Sequence, residues 1–340
     1  MRHPDSKRDA VREYVAEHPS ATGPELAQHL GISRQAVSLH LRRLIAAGEI
    51  FKTGSTRAAR YFPGDAAPQA RRSKRELALA GLDEAQVYEQ LAITLNLSRL
   101  AENVEAIVHY AFTEMLNNAI DHSMADRCSV EVLVDAARIR FAIKDGGIGA
   151  FHSIAEKFAL ADEHAAMIEL IKGKTTTKPD AHSGEGIFFV SRAADRFVLR
   201  SHRLQIEWDR ARDDMFVSTP RFIEGTLVQF ELLQDSRTRL EDVFGEFAPE
   251  EYDFKFEKTR VLVKLLQREY VSRSEAKRLL HNLDKFSEIE LDMREVKQVG
   301  QGFVDEVFRV FAAAHPAIII RSTNASAAVD AMIRHVKAGV

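Results

Sequence analysis

The stretch EMLNNAIDH, residues 114–122, decides the fold of the central part of this chain. Apolar residues around it recur with helical spacing and predict a helix from Leu100 to about His122. Glu114, Asn118 and His122 recur at intervals of four and therefore share one face of that helix. An asparagine oxygen is a hard ligand that suits Mg²⁺, and a carboxylate one turn earlier can orient and deprotonate a water molecule. The pattern indicates a site for a metal and a phosphate ligand, although it also fits a solvated helix face.

Two loops further along the chain have the composition of ligand-binding loops. DGGIG, residues 145–149, ends a strand; its glycines let the backbone approach a ligand closely, and Asp145 can accept a hydrogen bond from an amino group. KGKTTTK, residues 172–178, leads into HSGEG, residues 182–186, just before a helix. Small residues, hydroxyls and ammonium groups before a helix N-terminus favour phosphate binding. Taken singly, the two loops also fit a hairpin turn and a mobile loop.

Taken together in this order, the motifs resemble those of the GHKL ATPase superfamily. Residues 114–122 are similar to its N box, residues 145–149 to its DxGxG box, and residues 183–186 to the GxG box that follows the lid. Residues 225–226 resemble the glycine and threonine that support adenine recognition, and the likeness spans about 100–233. It implies ATP and Mg²⁺ as cofactors and a Bergerat-fold α/β sandwich. Helices followed by antiparallel strands independently predict a sandwich rather than a doubly wound parallel sheet.

The resemblance also implies roles for individual residues. Asn118 would hold Mg²⁺, Asp145 would accept a hydrogen bond from the adenine amino group, and Glu114 would be the catalytic base of an Mg²⁺-dependent ATPase. Asn117 is turned away from Glu114 by its helical phase. The remaining candidate contacts to the nucleotide are His122, Gly147, Gly149, Lys174, Lys178, Ser183, Gly184, Gly186 and Thr226.

The sequence disfavours a histidine autokinase. A sensor kinase needs a phosphoacceptor histidine on a dimerisation helix, usually followed by an acidic residue. The helices before the N box offer only His109, which Tyr110 follows in an apolar-rich stretch, so a packed or partly exposed histidine is the better interpretation. Two alternatives stay open: an anti-sigma-type Ser/Thr protein kinase that acts on a separate partner, and a nucleotide-dependent adaptor that does not hydrolyse ATP.

Positive charge is concentrated near the N-terminus. Residues 1–75 hold 14 Lys and Arg against 7 Asp and Glu, whereas the whole chain has a net charge of −3. Residues 1–65 read as three helices followed by two short strands around a turn at 54–57. The run from 26 to 48 resembles the second and third helices of a winged helix-turn-helix domain, which implies binding to double-stranded DNA.

The third helix and the wing supply the candidate DNA contacts. Polar side chains near the start of such a helix read base edges in the major groove, and basic wing residues lie near phosphates. The candidates are Ser33, Arg34, Gln35, Ser38 and Arg42 on the helix, and Lys52, Arg57 and Arg60 on the wing. Winged helices also mediate protein contacts, and that alternative stays open.

Turn-rich, apolar-poor segments divide the remaining chain. Residues 66–82 are predicted to be a linker before an ATPase domain at 83–248, and a second hinge is expected near 247–251. Residues 252–340 alternate strand and helix and resemble a small STAS-like α/β domain of unknown function. True STAS antagonists present a serine for phosphorylation where this chain has Gly-Gln-Gly at 300–302. A docking or dimerising module that binds a protein partner is therefore the simpler interpretation.

Composition limits where such a chain acts. Its 340 residues are 45% hydrophobic and 29% charged, which is ample material for several cores. A single cysteine, Cys128, excludes an intramolecular disulfide framework and fits a reducing cytosol. No apolar run approaches the roughly 18 residues of a membrane span, so we expect a cytoplasmic protein without a membrane partner. The sequence therefore predicts a multidomain α+β chain. It would be an ATP-binding, DNA-binding transcriptional regulator, expected to be a homodimer, whose nucleotide state changes DNA or partner binding.

Overall fold

The computed structural model describes residues 6–46, 49–53, 59–63, 70–173, 185–249, 255–265 and 269–338. The N-terminal segment has its own apolar core. Val15, Leu26, Leu41 and Leu44 are buried in it because each lies on the inward stripe of an amphipathic helix. Its elements are α1 (Ser6–Glu17), α2 (Gly23–Leu30), α3 (Arg34–Ala46) and the antiparallel hairpin β1 (Ile50–Thr53) and β2 (Arg60–Pro63).

The predicted linker over 66–82 is wrong for its central part. The segment Arg71–Ala78 forms strand β3, which pairs antiparallel along its whole length with β4 (Arg127–Val134). β3 is an edge strand whose side chains alternate between half-buried and exposed positions. Charged residues on an edge strand discourage pairing with other chains, so the basic, apolar-poor composition that suggested a linker suits this place in the sheet.

The central domain is an antiparallel sheet with helices on one face, which confirms the predicted α/β sandwich. The strand order is β3-β4-β5-β9-β6-β7-β8. Alternate residues of the strands face the helices and form the core, because successive side chains of a strand point to opposite faces. The further strands are β5 (Arg138–Asp145), β6 (Arg196–Ser201), β7 (Leu204–Asp209), β8 (Asp214–Ser218) and β9 (Thr226–Leu233); the helices are α4 (Glu84–Thr94), α5 (Glu102–His122), α6 (Ala150–Lys157), α7 (Glu163–Lys172), α8 (Gly186–Ala193) and α9 (Leu240–Phe247).

The C-terminal domain has the predicted alternation of strands and helices. Its main sheet is parallel, in the order β10-β12-β14, and a short parallel pair, β11-β13, lies beside α10 and the following helix. Ser272 caps α10 in a capping box with Glu275. The elements are β10 (Lys258–Leu262), β11 (Glu269–Tyr270), α10 (Arg273–Leu280), β12 (Glu288–Asp292), β13 (Gln298–Val299), α11 (Gln301–Asp305), which continues as a π-helix (Glu306–Phe311) and α12 (Ala312–Ala314), then β14 (Ile319–Thr323) and α13 (Ala327–Ala338).

The expected hinge near 247–251 is packed in the part that the structure describes. Phe247 lies 4.9 Å from Phe188 between ring centroids, and Phe256 lies 4.6 Å from the same ring. Phe256 also contacts Phe286 of the C-terminal domain at 5.3 Å. These rings merge the central and C-terminal cores into one cluster, so the two domains share an apolar interface.

Ion pairs extend this interface at the far edge of the sheet. Asp213, just before β8, pairs with Arg260 at 3.1 Å and with Arg294 at 3.0 Å. Both guanidinium groups also bind the fully buried carboxylate of Asp292 at 2.7 Å. Because each charge has partners of opposite sign, their burial is compensated, and removal of one partner would leave the others uncompensated.

Candidate functional site

The middle of α5 meets the start of α8 at one carboxylate. Glu114 lies so close to the bare Cα of Gly186 that a Cβ there would stand 2.1 Å from its Oε2 atom. Burial, followed by the charges of Glu114 and Glu185, raises the pKa of the Tyr110 phenol one turn earlier on α5. Glu114 of α5 and the first residue of α8 therefore lie together.

Asp145 is buried at the end of β5 and held by backbone donors. Its Oδ1 accepts hydrogen bonds from the amides of Gly147 at 2.9 Å and Thr226 at 3.2 Å. Desolvation raises the pKa of the Asp145 carboxyl, and the two amides oppose that shift. A buried acceptor that is already oriented by the backbone is suited to recognise a donor group of a ligand.

The turn after Asp145 packs directly on the last turn of α5. The Ile148 amide donates to the carbonyl oxygen of Ser123 at 2.9 Å. At Gly147 a Cβ would stand 1.8 Å from that same oxygen, so only glycine fits without a backbone shift. The helix that carries Glu114 and the loop that carries Asp145 are thereby fixed in relation to each other.

Thr226, the first residue of β9, is hydrogen-bonded to the end of this loop. Its hydroxyl oxygen accepts a hydrogen bond from the Ala150 amide at 2.9 Å, at the start of α6. Gly225, with φ +71°, precedes it, and a Cβ there would stand 2.3 Å from the carbonyl oxygen of Asp145. The positive φ and the close approach both require glycine at this position.

The remaining predicted nucleotide contacts divide into two groups. Asn118 and His122 are half-buried on the same face of α5 as Glu114. Gly149 has φ +81° and begins the turn into α6. Lys174, Lys178, Ser183 and Gly184 lie outside the described residues.

Most of the predicted DNA contacts on α3 and on the hairpin are exposed. Arg34 and Gln35 are exposed at the start of α3, and Ser33 caps that helix by accepting from the Ala36 amide at 3.2 Å. Arg42 donates to the Ser38 hydroxyl at 3.3 Å. Lys52 and Arg60 are exposed on the hairpin, while Arg57 lies outside the described residues.

Three family models match the chain. The model of the MarR family matches residues 13–60. The histidine kinase-like ATPase domain matches residues 65–207, and the STAS-like domain of unknown function (DUF4325) matches residues 275–330. The three matches follow one another along the chain in the predicted order. No curated protein matches it.

The domain matches agree with the described structure. The ATPase match begins at residue 65 and so includes β3, which the linker prediction leaves out. A MarR family winged helix joined to a histidine kinase-like ATPase domain supports a DNA-binding regulator with an ATPase-like domain. None of the helices among the described residues is long and apolar enough to cross a membrane.

Lys172, the first residue of the predicted phosphate-binding loop, is buried in the interface with the C-terminal domain. Lys172 is 1% exposed, and its Nζ lies 2.8 Å from the carboxylate of Glu169 and 2.9 Å from the His281 carbonyl oxygen of the STAS-like domain. It therefore supports the domain interface rather than a phosphate cradle. The i, i+3 spacing of Glu169 and Lys172 among apolar residues is the sequence signal that indicates a buried pair.

The hairpin between β6 and β7 also lies beside this region, next to Gly149. His202 accepts or donates a hydrogen bond with Glu163 of α7 at 2.6 Å and stacks on the Phe222 ring at 5.2 Å. Its Nε2 would stand 2.8 Å from a Cβ at Gly149, and the Ser201 hydroxyl would stand 2.6 Å from the same point. No local motif marks these residues, because cross-strand pairing brings them to the site.

The ring of His109 packs against an aromatic side chain. Its ring stacks on Tyr88 with centroids 4.2 Å apart, and the Tyr88 hydroxyl donates to Glu105 at 2.7 Å.

In the STAS-like domain, the Gly300 amide donates to the Tyr270 carbonyl oxygen at 2.6 Å, and a Cβ at Gly300 would stand 2.6 Å from the Val271 carbonyl oxygen. Glycine at this helix start thus fits close backbone packing.

Proposed function

We propose that the chain is a transcriptional regulator that binds ATP with Mg²⁺ in its central domain and DNA through its winged helix. The observation that carries the proposal is that two separate segments pack on α5: Gly186 contacts it at Glu114, and the loop after Asp145 contacts it at Ser123. Nucleotide state would change DNA affinity only through a difference in nucleotide affinity between two conformations of the protein.

The side chains of α5 fit an Mg²⁺ ion that is shared with a nucleotide. The proposed metal ligand on its site face is the side-chain oxygen of Asn118, a hard donor of the kind that Mg²⁺ prefers. Among the described residues, no group of three or more His, Cys, Asp or Glu side chains could hold a metal ion. A site with one protein oxygen, phosphate oxygens and water matches how Mg²⁺ is commonly held. When bound, the ion would neutralise phosphate charge.

The residues of this chain supply the other parts of the proposed chemistry. Asp145 would accept a hydrogen bond from the adenine amino group, and Gly147 and Gly149 would let the backbone approach the nucleotide. Glu114 would orient a water molecule and take its proton. Lys174 and Lys178 would contact the phosphates, and Ser183, Gly184 and Gly186 would complete the phosphate side.

At the winged helix, Arg34 and Gln35 would read base edges, and Lys52, Arg57 and Arg60 would contact phosphates. Two winged helices in a homodimer would read a two-fold operator. The STAS-like domain packs on the ATPase domain through the apolar cluster and the Asp213 ion pairs. Its contacts, to this chain or to a protein partner, would therefore respond to changes in the ATPase domain.

Selection of genomic DNA fragments by the purified full chain tests the proposal. Mg²⁺ is present throughout, and the arms contain ATP, a non-hydrolysable ATP analogue or no nucleotide. Enrichment of specific fragments that changes with nucleotide supports the switch. Enrichment that is the same with and without nucleotide contradicts the switch and favours an ATPase domain that acts on a separate protein. Transfer of labelled γ-phosphate to that protein would detect such an activity. If no fragment is enriched in any arm, the DNA assignment is wrong.

A further inference from the structure

A row of buried side chains beside the candidate nucleotide site crosses four strands of the sheet. Cys128 of β4 pairs with Asp145 of β5, and Ser201 of β6 pairs with Thr226 of β9. β5 and β9 are neighbours, and the Thr226 amide donates to Asp145 Oδ1 at 3.2 Å. Because directly opposed residues of adjacent strands share one face, the four side chains form a row on the helix-covered face. All four are less than a tenth exposed.

Ser201 differs from the other members of this row in its hydrogen bonding. It is fully buried, with 0% relative exposure, and its hydroxyl has no hydrogen-bond partner among the described residues. Asp145 and Thr226, in contrast, each accept backbone hydrogen bonds. A buried hydroxyl without a partner costs about 1–3 kcal/mol of desolvation in general, so such groups usually meet a ligand, an ion or a water molecule.

The position of the Ser201 hydroxyl points to the ligand that it meets. It lies beneath Gly149, since a Cβ there would stand 2.6 Å from Ser201 Oγ. It also lies in the row that contains Asp145, the acceptor assigned to the adenine amino group. A hydroxyl can donate one hydrogen bond and accept others, so it supplies the donor that the carboxylate lacks.

This pairing of acceptor and donor suits adenine. The polar edge of adenine presents an amino donor flanked by the ring acceptors N1 and N7. Guanine presents a carbonyl acceptor beside an N–H donor, which would set an acceptor against the Asp145 carboxylate. We infer that Ser201 is a base-recognition residue of the pocket, whose hydroxyl donates to a ring nitrogen of adenine next to the amino group bound by Asp145. The inference rests on the proposed ATP binding.

Titration calorimetry of the full chain with ADP and Mg²⁺ tests the inference through analogues that lack one ring nitrogen, 1-deaza-ADP and 7-deaza-ADP. We expect the wild type to bind one analogue about tenfold more weakly than ADP, as loss of one neutral hydrogen bond predicts. Ser201→Ala should bind ADP about tenfold more weakly than the wild type and should no longer distinguish ADP from that analogue. Such a cycle isolates the contact between the hydroxyl and the ring nitrogen.

Ser191→Ala is the matched control for removal of a buried serine hydroxyl. Ser191 Oγ is buried and donates to the Phe188 carbonyl oxygen at 2.7 Å. Its loss should lower the melting temperature by roughly 2–4 °C without changing discrimination between ADP and the analogues. Ser201→Ala without nucleotide should melt at or above the wild-type temperature, because it removes an unpaired polar group.

Three results would overturn the inference. If the analogues lose the same affinity relative to ADP in the wild type and in Ser201→Ala, Ser201 does not recognise the base, although ADP still binds. The same conclusion follows if Ser201→Ala binds ADP as tightly as the wild type does. A melting temperature of nucleotide-free Ser201→Ala as low as that of Ser191→Ala would show that the hydroxyl stabilises the fold instead. Failure of the wild type to bind ADP would overturn the proposed function together with this inference.

Discussion

The ammonium group of Lys172 lies 2.9 Å from the carbonyl oxygen of His281, and this contact joins the last turn of α7 to the STAS-like domain. The same ammonium group donates to Oε1 of Glu169 at 2.8 Å. The other carboxylate oxygen of Glu169 accepts a hydrogen bond from the Asn282 side chain at 2.8 Å. In return, the Thr259 hydroxyl donates to the Lys172 carbonyl oxygen at 2.7 Å. Burial lowers the pKa of Lys172, which the Glu169 charge opposes. The STAS-like domain is thus bound to the ATPase domain by a buried, hydrogen-bonded ion pair.

Lys172→Met should destabilise the protein strongly. It removes the ammonium group from the buried Glu169 carboxylate, and such broken pairs cost about 3–5 kcal/mol. Urea unfolding should show a lower midpoint for this variant. Lys157→Met, at an exposed lysine of the same domain, should change the free energy of unfolding by less than about 0.5 kcal/mol. Equal midpoints for the two variants would contradict a structural role for the Lys172 pair.

Gly186→Ala and Gly147→Ala should separate catalysis from folding. At Gly186 the added methyl meets the flexible end of Glu114, so that side chain must rotate away while the fold persists. We expect ATP turnover to fall at least tenfold with little change in melting temperature. At Gly147 the methyl meets the Ser123 carbonyl oxygen, and a backbone shift is required. That variant should lose both stability and nucleotide binding, and normal turnover in Gly186→Ala would refute the placement of Glu114.

Glu114→Gln should lower the rate of ATP turnover by about 10²-fold or more, because a positioned general base typically contributes that much. ADP affinity should change little, since the amide keeps the size and shape of the side chain. Steady-state turnover and ADP titration measure the two effects. Glu102→Gln, at an exposed position on the first turn of the same helix, is the control. Intact turnover in Glu114→Gln and Glu114→Ala would show that Glu114 is not the base.

Asp145→Asn should weaken ADP binding at least tenfold and change the pH dependence of stability. Burial raises the pKa of the Asp145 carboxyl in the folded state, so the folded protein binds its proton more tightly than the unfolded chain. Its contribution to stability is therefore present below the ordinary pKa of 3.8 and is lost as pH rises through the folded-state pKa. Thermal unfolding should show Asp145→Asn gaining stability relative to wild type between pH 4 and pH 7. A constant difference would contradict the raised pKa.

Substitutions on the winged helix should separate base reading from phosphate contact. Arg34→Ala should relax sequence preference at one or two base pairs, at a cost of about 1–3 kcal/mol on the preferred fragment. Lys52→Ala should weaken all sequences alike and reduce the slope of log affinity against log salt by about 1. Lys297→Ala, an exposed lysine of the STAS-like domain, is the control. An effect of Lys297→Ala as large as that of Lys52→Ala would argue against a wing contact.

Much of the fold follows from local patterns in the sequence. The α5 helix, the alternating strands β4 and β5 and the capped α10 are predictable, because their periodicity and caps depend on nearby residues only. β3 does not follow, since its charged composition suits both a linker and an edge strand. α9 is also absent from the sequence prediction, and it packs on α5 and α8, which are distant in the chain; β8 is absent too, although it pairs with the neighbouring strand β7.

The candidate site divides in the same way. Glu114, Asp145 and Gly147 stand in short motifs whose chemistry is legible without a fold, and the sequence determined them as candidates. Only the tertiary structure decided that Ser201 lies opposite Thr226 in the sheet and that Lys172 belongs to the domain interface. The physical reason is range: motif spacing reports what one helix face or one turn presents, whereas cross-strand register and burial depend on segments that meet only when the sheet and the two cores assemble.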